Sequence, residues 1–280
     1  MLANRKSRPS LGSRRASGPG VVGKILLGTG GVAILAIIVV LVGYGVLSEG
    51  PVALQENGCP VDRPPSSKVV VLIDQTDTFS AVQAVDIENQ FNAVKQSIPR
   101  YGELVIYTIK ESLLTLPVPV ARACNPGNAH DVDRMTESIV RAENTWRESF
   151  DEPFRRVLTS VLNPSEASAS PIIETIQAVT VAEFGPVKLD QVPKRLVLIS
   201  DLLQHSKAMS HYSGDVDFVK FENSPVYRRL KTDLRDVAVE ILYLNRTTKR
   251  DLQTVKHREF WYGLLENQNA RIERFYSVSG

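Results

Sequence analysis

Two acidic residues stand where predicted strands end, and hydroxyl-bearing residues stand beside them. Asp74 ends the apolar segment KVVVLID and is followed at every second position by Thr76 and Thr78, while Asp201 ends a second apolar segment, RLVLISD. Ligands in open α/β sheets bind beyond the carboxyl ends of the strands, so neighbouring strands of this kind would direct both carboxylates into one crevice. Hard oxygen donors suit Mg²⁺, Mn²⁺ or Ca²⁺ rather than zinc.

The elements that must position these residues alternate between strand-like and helix-like segments. Short continuous apolar runs are typical of parallel strands buried on both faces. The segment LLTLPVPVARAC follows the strand ELVIYTIK after a short turn, which indicates an antiparallel pair, and its two prolines confine it to a sheet edge. We predict a doubly wound, mostly parallel six-stranded sheet with one antiparallel strand near an edge.

Two helix-like segments lie between the strands ELVIYTIK and RLVLISD. Residues 131–162 have a helical pattern that Pro153 interrupts. The segment SPIIETIQAVTVAEF predicts a helix with Ser170 as its N-cap and Pro171 at its first position.

The N-terminal region predicts a membrane anchor. Residues 1–24 hold six basic residues and no acidic one, and their Ser, Gly and Pro content is typical of a disordered tail. Residues 25–47 carry no charge over 23 positions, enough for a transmembrane helix. All flanking positive charge precedes this run, which predicts a cytoplasmic N-terminus. Residues 48–67 are interpreted as a linker, and residues 68–280 as a folded domain outside the cytoplasm.

A cleaved signal peptide is the competing interpretation of the apolar run. Signal peptides usually have a shorter apolar region followed by a small-x-small cleavage site. The following segment, SEGPVALQ, contains no Ala-x-Ala, so an uncleaved anchor is favoured.

Charge and cysteine content narrow the function classes further. Without the basic tail the chain has 27 basic against 31 acidic residues, which argues against nucleic-acid binding through bulk charge. The only cysteines, Cys59 and Cys124, fall in the part predicted to lie outside the cytoplasm. An even pair in an oxidising compartment predicts a disulfide.

Over about residues 68–278 the sequence resembles the von Willebrand factor A-like family. The family places Asp-x-Ser-x-Ser after the first strand, a Thr before a later helix and an Asp after the fourth strand. The residues that match this pattern here are Asp74, Thr76, Thr78, Ser170 and Asp201. Exchanges between Ser and Thr keep the oxygen donors, whereas Leu202 stands where the family usually has Gly.

The resemblance implies a metal-ion-dependent adhesion site. These five residues would be the metal ligands, with Mg²⁺ as the first choice and Mn²⁺ or Ca²⁺ as alternatives. Two acids cannot saturate a six-coordinate ion, so water would complete the shell and an acidic residue of a partner protein would replace one water. No nucleophile with an adjacent base is visible, which favours recognition over catalysis.

The same resemblance places the cysteines at the other end of the domain. Cys59 precedes the first strand, and Cys124 follows the antiparallel strand that runs back to that end, the side facing the membrane. A bridge between them would close a loop of about 64 residues, worth about 4 kcal/mol in the chain-entropy model.

Two other functions remain open. The segment DQTDT also resembles the motif of haloacid-dehalogenase-like phosphotransferases, with Asp74 as an Mg²⁺-dependent nucleophile and Ser200 as the later hydroxyl. That fold needs an acid pair after a further strand, but the strand VAVEILYL is followed by Asn245 and Arg246. A scaffold that uses the fold without any metal is the other alternative.

A second group of potential ligands is found in the segment QHSKAMSHYSGDVD. It contains His205, His211, Asp215 and Asp217, but their spacing matches no tight zinc-ligand pair. We interpret the segment as an exposed loop beside the metal crevice. The sequence as a whole predicts a single-pass inner-membrane protein whose periplasmic or extracellular domain binds another protein, as a subunit of an envelope complex.

Overall fold

The computed structural model describes residues 34–40, 42–43, 52–76, 78–111, 116–132, 137–162, 167–214 and 216–278. The chain divides into two units, Met1–Val52 and Ala53–Gly280. In the first unit residues 34–40 and 42–43 are helical. Among the described residues no helix is both long and apolar enough to cross a bilayer. The tail 1–24 and most of the predicted span 25–47 lie outside the described residues.

The second unit is built on a single six-stranded sheet. Its order is β3-β2-β1-β4-β5-β6, and β3 pairs antiparallel with β2 at one edge while the other pairs are parallel. The strands are β1 (Lys68–Asp74), β2 (Glu103–Ile109), β3 (Ala121–Cys124), β4 (Lys194–Ser200), β5 (Val237–Leu244) and β6 (Arg271–Val278). The predicted mostly parallel sheet with one antiparallel edge strand is confirmed.

Helices cover both faces of this sheet. They are α1 (Ala81–Gln96), α2 (Ile139–Trp146), α3 (Glu152–Val161), α4 (Ile172–Phe184), α5 (Phe218–Glu222), α6 (Pro225–Leu230) and α7 (Val255–Asn267). A π-helical turn, Arg147–Asp151, joins α2 to α3 without a break, and Pro153 is the second residue of α3. Its missing N–H falls where the helix returns from π-helical to α-helical bonding. The predicted interruption at Pro153 is therefore a local change of helix type. The short helix α5 was not predicted.

Alternation along β1 explains why its apolar run is continuous. Val70 and Leu72 belong to the core under α4, α6 and α7, whereas Val71 and Ile73 belong to the core under α1 and α3. Successive side chains of a strand point to opposite faces, and here both faces are covered. All seven residues of β1 are buried, including its terminal acid.

The predicted disulfide between Cys59 and Cys124 is confirmed. Cys124 is paired with Glu103, the first residue of β2, and Glu103 is paired with Lys68, the first residue of β1. The bridge therefore lies at the amino ends of β1 and β2, at the opposite end of β1 from Asp74.

The segment predicted as a linker is attached to the sheet from Ala53 onward. Leu54 forms an antiparallel bridge with Pro60, and the Ser66 amide donates to the Tyr101 carbonyl at 3.2 Å. The Cys124 amide donates to the carbonyl of Asn57 at 2.9 Å. The last part of the predicted linker is therefore part of the compact unit.

Candidate metal and ligand site at the carboxyl ends of β1 and β4

The two predicted acids meet because β1 and β4 are neighbours. From β1 the chain continues to β2 on one side, and it returns to β4 on the other, so a crevice opens between the carboxyl ends of these two strands. Ile73 is paired with Ile199, one residue before Asp74 and two before Asp201. Both acids are buried, with 2% and 5% of their surface exposed.

Asp74 is the centre of a hydroxyl network. Its Oδ1 accepts from the Thr76 amide at 3.0 Å and from the Thr76 hydroxyl at 2.6 Å. Its Oδ2 accepts from the hydroxyls of Ser170 at 3.2 Å and Ser200 at 2.7 Å. The network satisfies a buried carboxylate and brings three hydroxyl oxygens from three segments of the chain together.

The predicted role of Ser170 as a helix cap is wrong. Helix α4 begins at Ile172 with Pro171 in the cap position and no side-chain cap. The Ile173 amide instead donates to Oε1 of Gln204 at 2.9 Å, a residue from the segment after β4. The Ser170 hydroxyl is thereby left for Asp74, since Gln204 accepts from an N–H that a cap would otherwise serve.

Asp201 has a different set of partners. Its Oδ1 accepts from the Leu203 amide at 2.9 Å, and its Oδ2 accepts from Nε of Arg246 at 3.0 Å. Burial and the nearby charge of Asp74 raise the pKa of Asp201 to about 6, although Arg246 acts in the opposite direction. Both acids also accept an amide two residues ahead, so they stabilise their turns. Asp201 lines the cleft, whereas Asp74 lies buried behind Thr76 and Ser170.

Arg246 is the site residue that the sequence analysis missed. It follows β5, the neighbour of β4, and is only 9% exposed. Its guanidinium also donates to the backbone carbonyl of Thr78 and lies 5.8 Å from the centre of the Phe79 ring. Its amide donates to Oε1 of Gln253 at 2.6 Å. The only sequence signal was a basic residue just beyond a strand end.

The three hydroxyl-bearing residues at alternate positions after Asp74 have separate roles. Thr76 bonds to Asp74, the Thr78 side chain is exposed, and Ser80 is the N-cap of α1. Ser80 forms a capping box with Gln83, in which each side chain accepts from the other residue's amide.

Leu202 adopts the backbone conformation that a glycine would favour at this position. Its φ is +59°, in the left-handed region, and its side chain is fully buried. Its carbonyl accepts from Trp261 Nε1 at 2.9 Å and lies 3.0 Å from His257 Nε2. Packing and two ring contacts therefore hold a turn that backbone preference disfavours.

The histidine segment is only in part the exposed loop that was predicted: His205 lines the cleft beside Asp201, and residues 212–214 are exposed. His211 is fully buried and packs edge-on against His257 and Phe260. His205 Nδ1 lies 2.8 Å from the Ser210 hydroxyl, and Asp217 caps α5. Asp215 lies outside the described residues, and among those described no group of three or more His, Cys, Asp or Glu could hold a metal.

Burial lowers the pKa of both buried histidines. The pKa of His211 falls to about 3, and that of His257 falls to about 4. Neither ring nitrogen of His211 has a hydrogen-bond partner among the described residues. These rings are therefore neutral at physiological pH.

The donor set around Asp74 fits a hard divalent cation in its chemistry. A cleft of about 510 Å³ is lined by Thr76, Ser170 and Asp201 together with Tyr212 and Lys249. Carboxylate and hydroxyl oxygens are the donors that Mg²⁺ and Ca²⁺ take, and two acids leave room for water in the shell.

Comparisons with known proteins give matches only among solved structures. No protein-family model matches the sequence, and no curated protein matches it. The chain is similar to proximal thread matrix protein 1 from the mussel byssus at 9% identity and a TM-score of 0.40, over 79% of this chain but only 44% of that protein. The chain therefore spans less than half of the mussel protein.

Two other similar structures are matched over most of their length. One is the SpRpn10 VWA domain, at 11% identity and a TM-score of 0.40, over 76% of this chain and 89% of that chain. The other is the hypothetical protein BatB from Bacteroides thetaiotaomicron, at 8% identity and a TM-score of 0.40, over 75% and 91%. The solved structures similar to this chain thus include a von Willebrand factor A domain.

Proposed function

We propose that this protein is a binding module that recognises another protein at the crevice between the carboxyl ends of β1 and β4. The observation that carries the proposal is that Thr76, Ser170 and Asp201 line one cleft, with the Asp74 carboxylate buried behind them and bonded to both hydroxyls. Such a concave, polar position outside the strand ends is where α/β sheets bind ligands.

The proposal includes a divalent cation, with Mg²⁺ first and Mn²⁺ or Ca²⁺ as alternatives. Its ligands would be Asp74, Thr76, Ser170 and Asp201, with Thr78 as the fifth residue of the set. When bound, the ion would supply a positive centre for a carboxylate of the partner. The hydroxyls support this assignment because they are already gathered around Asp74.

The rim of the cleft is suited to an acidic partner residue. Lys249 and Tyr212 line it, and the Lys249 ammonium lies 5.1 Å from the centre of the Tyr212 ring. A basic side chain beside the crevice would attract an acidic side chain and raise its association rate.

The phosphotransferase alternative is less well supported. Four donors occupy the two carboxylate oxygens of Asp74, which stabilises the carboxylate and makes it a weaker nucleophile. The position after β5, where the enzyme would need acids, holds Arg246. We therefore propose a non-enzymatic role.

The proposed location is the cell envelope. Residues 25–47 would anchor the protein in the inner membrane, with the N-terminus in the cytoplasm and the domain outside as part of an envelope complex. The Cys59–Cys124 disulfide supports this location because structural disulfides persist in oxidising compartments.

The test is a pull-down of the tagged full-length chain from detergent-solubilised membranes. A partner should be retained by the wild type in Mg²⁺, and lost with EDTA or in Asp74→Asn. Asp233→Asn is the matched control, because it removes the same charge from an exposed residue that precedes β5 at the amino ends of the strands.

A partner that is retained equally with EDTA and by Asp74→Asn would refute binding at this crevice. Loss in Asp74→Asn without any effect of EDTA would support the site and refute the metal. Phosphate release from a generic phosphoester that depends on Asp74 would establish the enzyme alternative instead.

A further inference from the structure

The carboxylate oxygens of the site are all in use within the protein. Each of the four oxygens of Asp74 and Asp201 accepts a hydrogen bond, and three of them accept from neutral amides or hydroxyls. Oδ2 of Asp201 is the exception, because its donor is the guanidinium of Arg246. One positive charge of the protein itself therefore already lies at a proposed metal ligand.

Arg246 is held in this position by several contacts. Its guanidinium bonds to Asp201 and to the Thr78 carbonyl, and it lies over the ring of Phe79. Its backbone amide is bonded to Gln253, whose Nε2 donates to the Asp201 carbonyl at 3.0 Å. A planar guanidinium with this many fixed contacts loses little further entropy when it forms the ion pair.

We propose that Arg246 is a tethered cation that competes with the divalent ion for Asp201 and thereby controls occupancy of the site. The proposal rests on the proposed function, and it concerns the regulation of that same crevice. While the guanidinium holds Asp201, the metal-competent arrangement is only a fraction of the population, and the apparent metal affinity falls by that fraction.

The competition has a consequence for partner binding. An acidic side chain entering the crevice offers the guanidinium a second carboxylate, since Arg forms strong charge-assisted bonds to such groups. A partner that draws Arg246 away from Asp201 would favour metal binding, and metal would favour the partner to the same degree. The guanidinium also donates to the carbonyl of Thr78, which is itself a proposed ligand. Release of Arg246 would therefore also free the Thr78 segment to move.

The experiment measures Mg²⁺ affinity of the purified full-length chain by calorimetry at about 0.15 M salt, where long-range fields are screened. Arg246→Gln should bind Mg²⁺ about tenfold tighter or more than the wild type, because the competing fraction disappears. Arg246→Lys keeps the charge without the planar guanidinium and should give an intermediate affinity. Arg250→Gln, an exposed position on the same loop, removes an equal charge and should change the affinity less than about threefold.

Three outcomes would overturn the inference. Equal gains in Arg246→Gln and Arg250→Gln would show a general field effect rather than competition. An unchanged or weaker affinity in Arg246→Gln would show that Arg246 does not oppose the metal, while the proposed binding function would still stand. No Mg²⁺ binding by the wild type or any variant would remove the metal from the proposed function and the inference with it.

A measurement on the wild type keeps the test valid if Arg246→Gln fails to fold. In the chain labelled with ¹⁵N-arginine, the Nε–H signal of Arg246 should be protected from exchange without metal and lose protection on saturation with Mg²⁺. A signal that stays protected at saturation would contradict the competition.

Discussion

Nε of Arg246 lies 3.0 Å from Oδ2 of Asp201, at the carboxyl ends of the adjacent strands β5 and β4. This ion pair is nearly buried, with 9% and 7% of the two side chains exposed. Removing one partner of such a pair leaves an uncompensated charge, which typically destabilises a protein by about 3–5 kcal/mol. The pair therefore links the stability of the domain to the chemistry of the crevice.

The first prediction concerns metal-linked stability. Mg²⁺ at about 100 times its dissociation constant should stabilise the full-length chain by about 2.7 kcal/mol, because the ion binds only the folded state. The rise in melting temperature should disappear in Asp74→Asn and persist in Asp233→Asn. If Mg²⁺ does not change the melting temperature of the wild type, the metal-free scaffold is favoured.

The second prediction concerns the pH dependence contributed by Asp201. Its folded pKa of about 6 lies above its unfolded value, so the folded state binds the extra proton between about pH 4 and 6. Stability without metal should therefore fall as pH rises through this window, by at most about 3 kcal/mol from this group. Urea unfolding in EDTA across pH 4–7 measures the effect as the difference between wild type and Asp201→Asn.

Bound Mg²⁺ should oppose this loss of stability with rising pH, because a cation binds the ionised form of Asp201. The dissociation constant for Mg²⁺ should therefore rise as pH falls below about 6. An affinity that is constant from pH 7 to 5 would exclude Asp201 from the ligand set.

The third prediction concerns the buried histidine His211. Its folded pKa of about 3 lies below its unfolded value of about 6.5, so the unfolded state takes up a proton first as pH falls. The contribution of His211 to the free energy of unfolding should be fully present above pH 6.5 and should decrease as pH falls from 6.5 towards 3. His211→Phe should reduce this loss and stabilise the protein by about 1–3 kcal/mol at pH 7, because it removes buried polar atoms without described partners.

The comparison that checks this prediction is the slope of stability against pH between 6.5 and 4. An equal slope in wild type and His211→Phe would show that the folded state binds a proton at His211 as readily as the unfolded state does. Such a result would contradict the lowered pKa. His205→Phe is the matched control, since the His205 ring is only partly buried and is bonded to Ser210.

The fourth prediction concerns the disulfide. Its loop spans 65 positions, so replacing both Cys59 and Cys124 by Ser should destabilise the domain by about 4 kcal/mol in the chain-entropy model. Denaturant midpoints of oxidised and double-variant protein measure the loss. The Mg²⁺ dissociation constant should stay the same, because the bridge lies at the opposite end of β1 from Asp74. A metal affinity that changes with the bridge would contradict independence of the two ends.

The sequence alone determined the sheet and the position of its two acids. A continuous apolar run predicts β1 with its observed boundaries, and the short link with prolines predicts the antiparallel edge strand β3. The two cysteines and their pairing were also predictable from their number. These features depend on composition and on short periodic patterns that each segment carries within itself.

The side chains that complete the crevice are set by contacts between distant segments of the folded chain. Arg246 reaches Asp201 across 45 positions, and Ser170 turns to Asp74 because Gln204 serves the helix start in its place. Leu202 holds a left-handed turn through packing against α7. Such contacts join segments whose local patterns are independent of one another, so no local signal specifies them. The chain must fold before these side chains become neighbours.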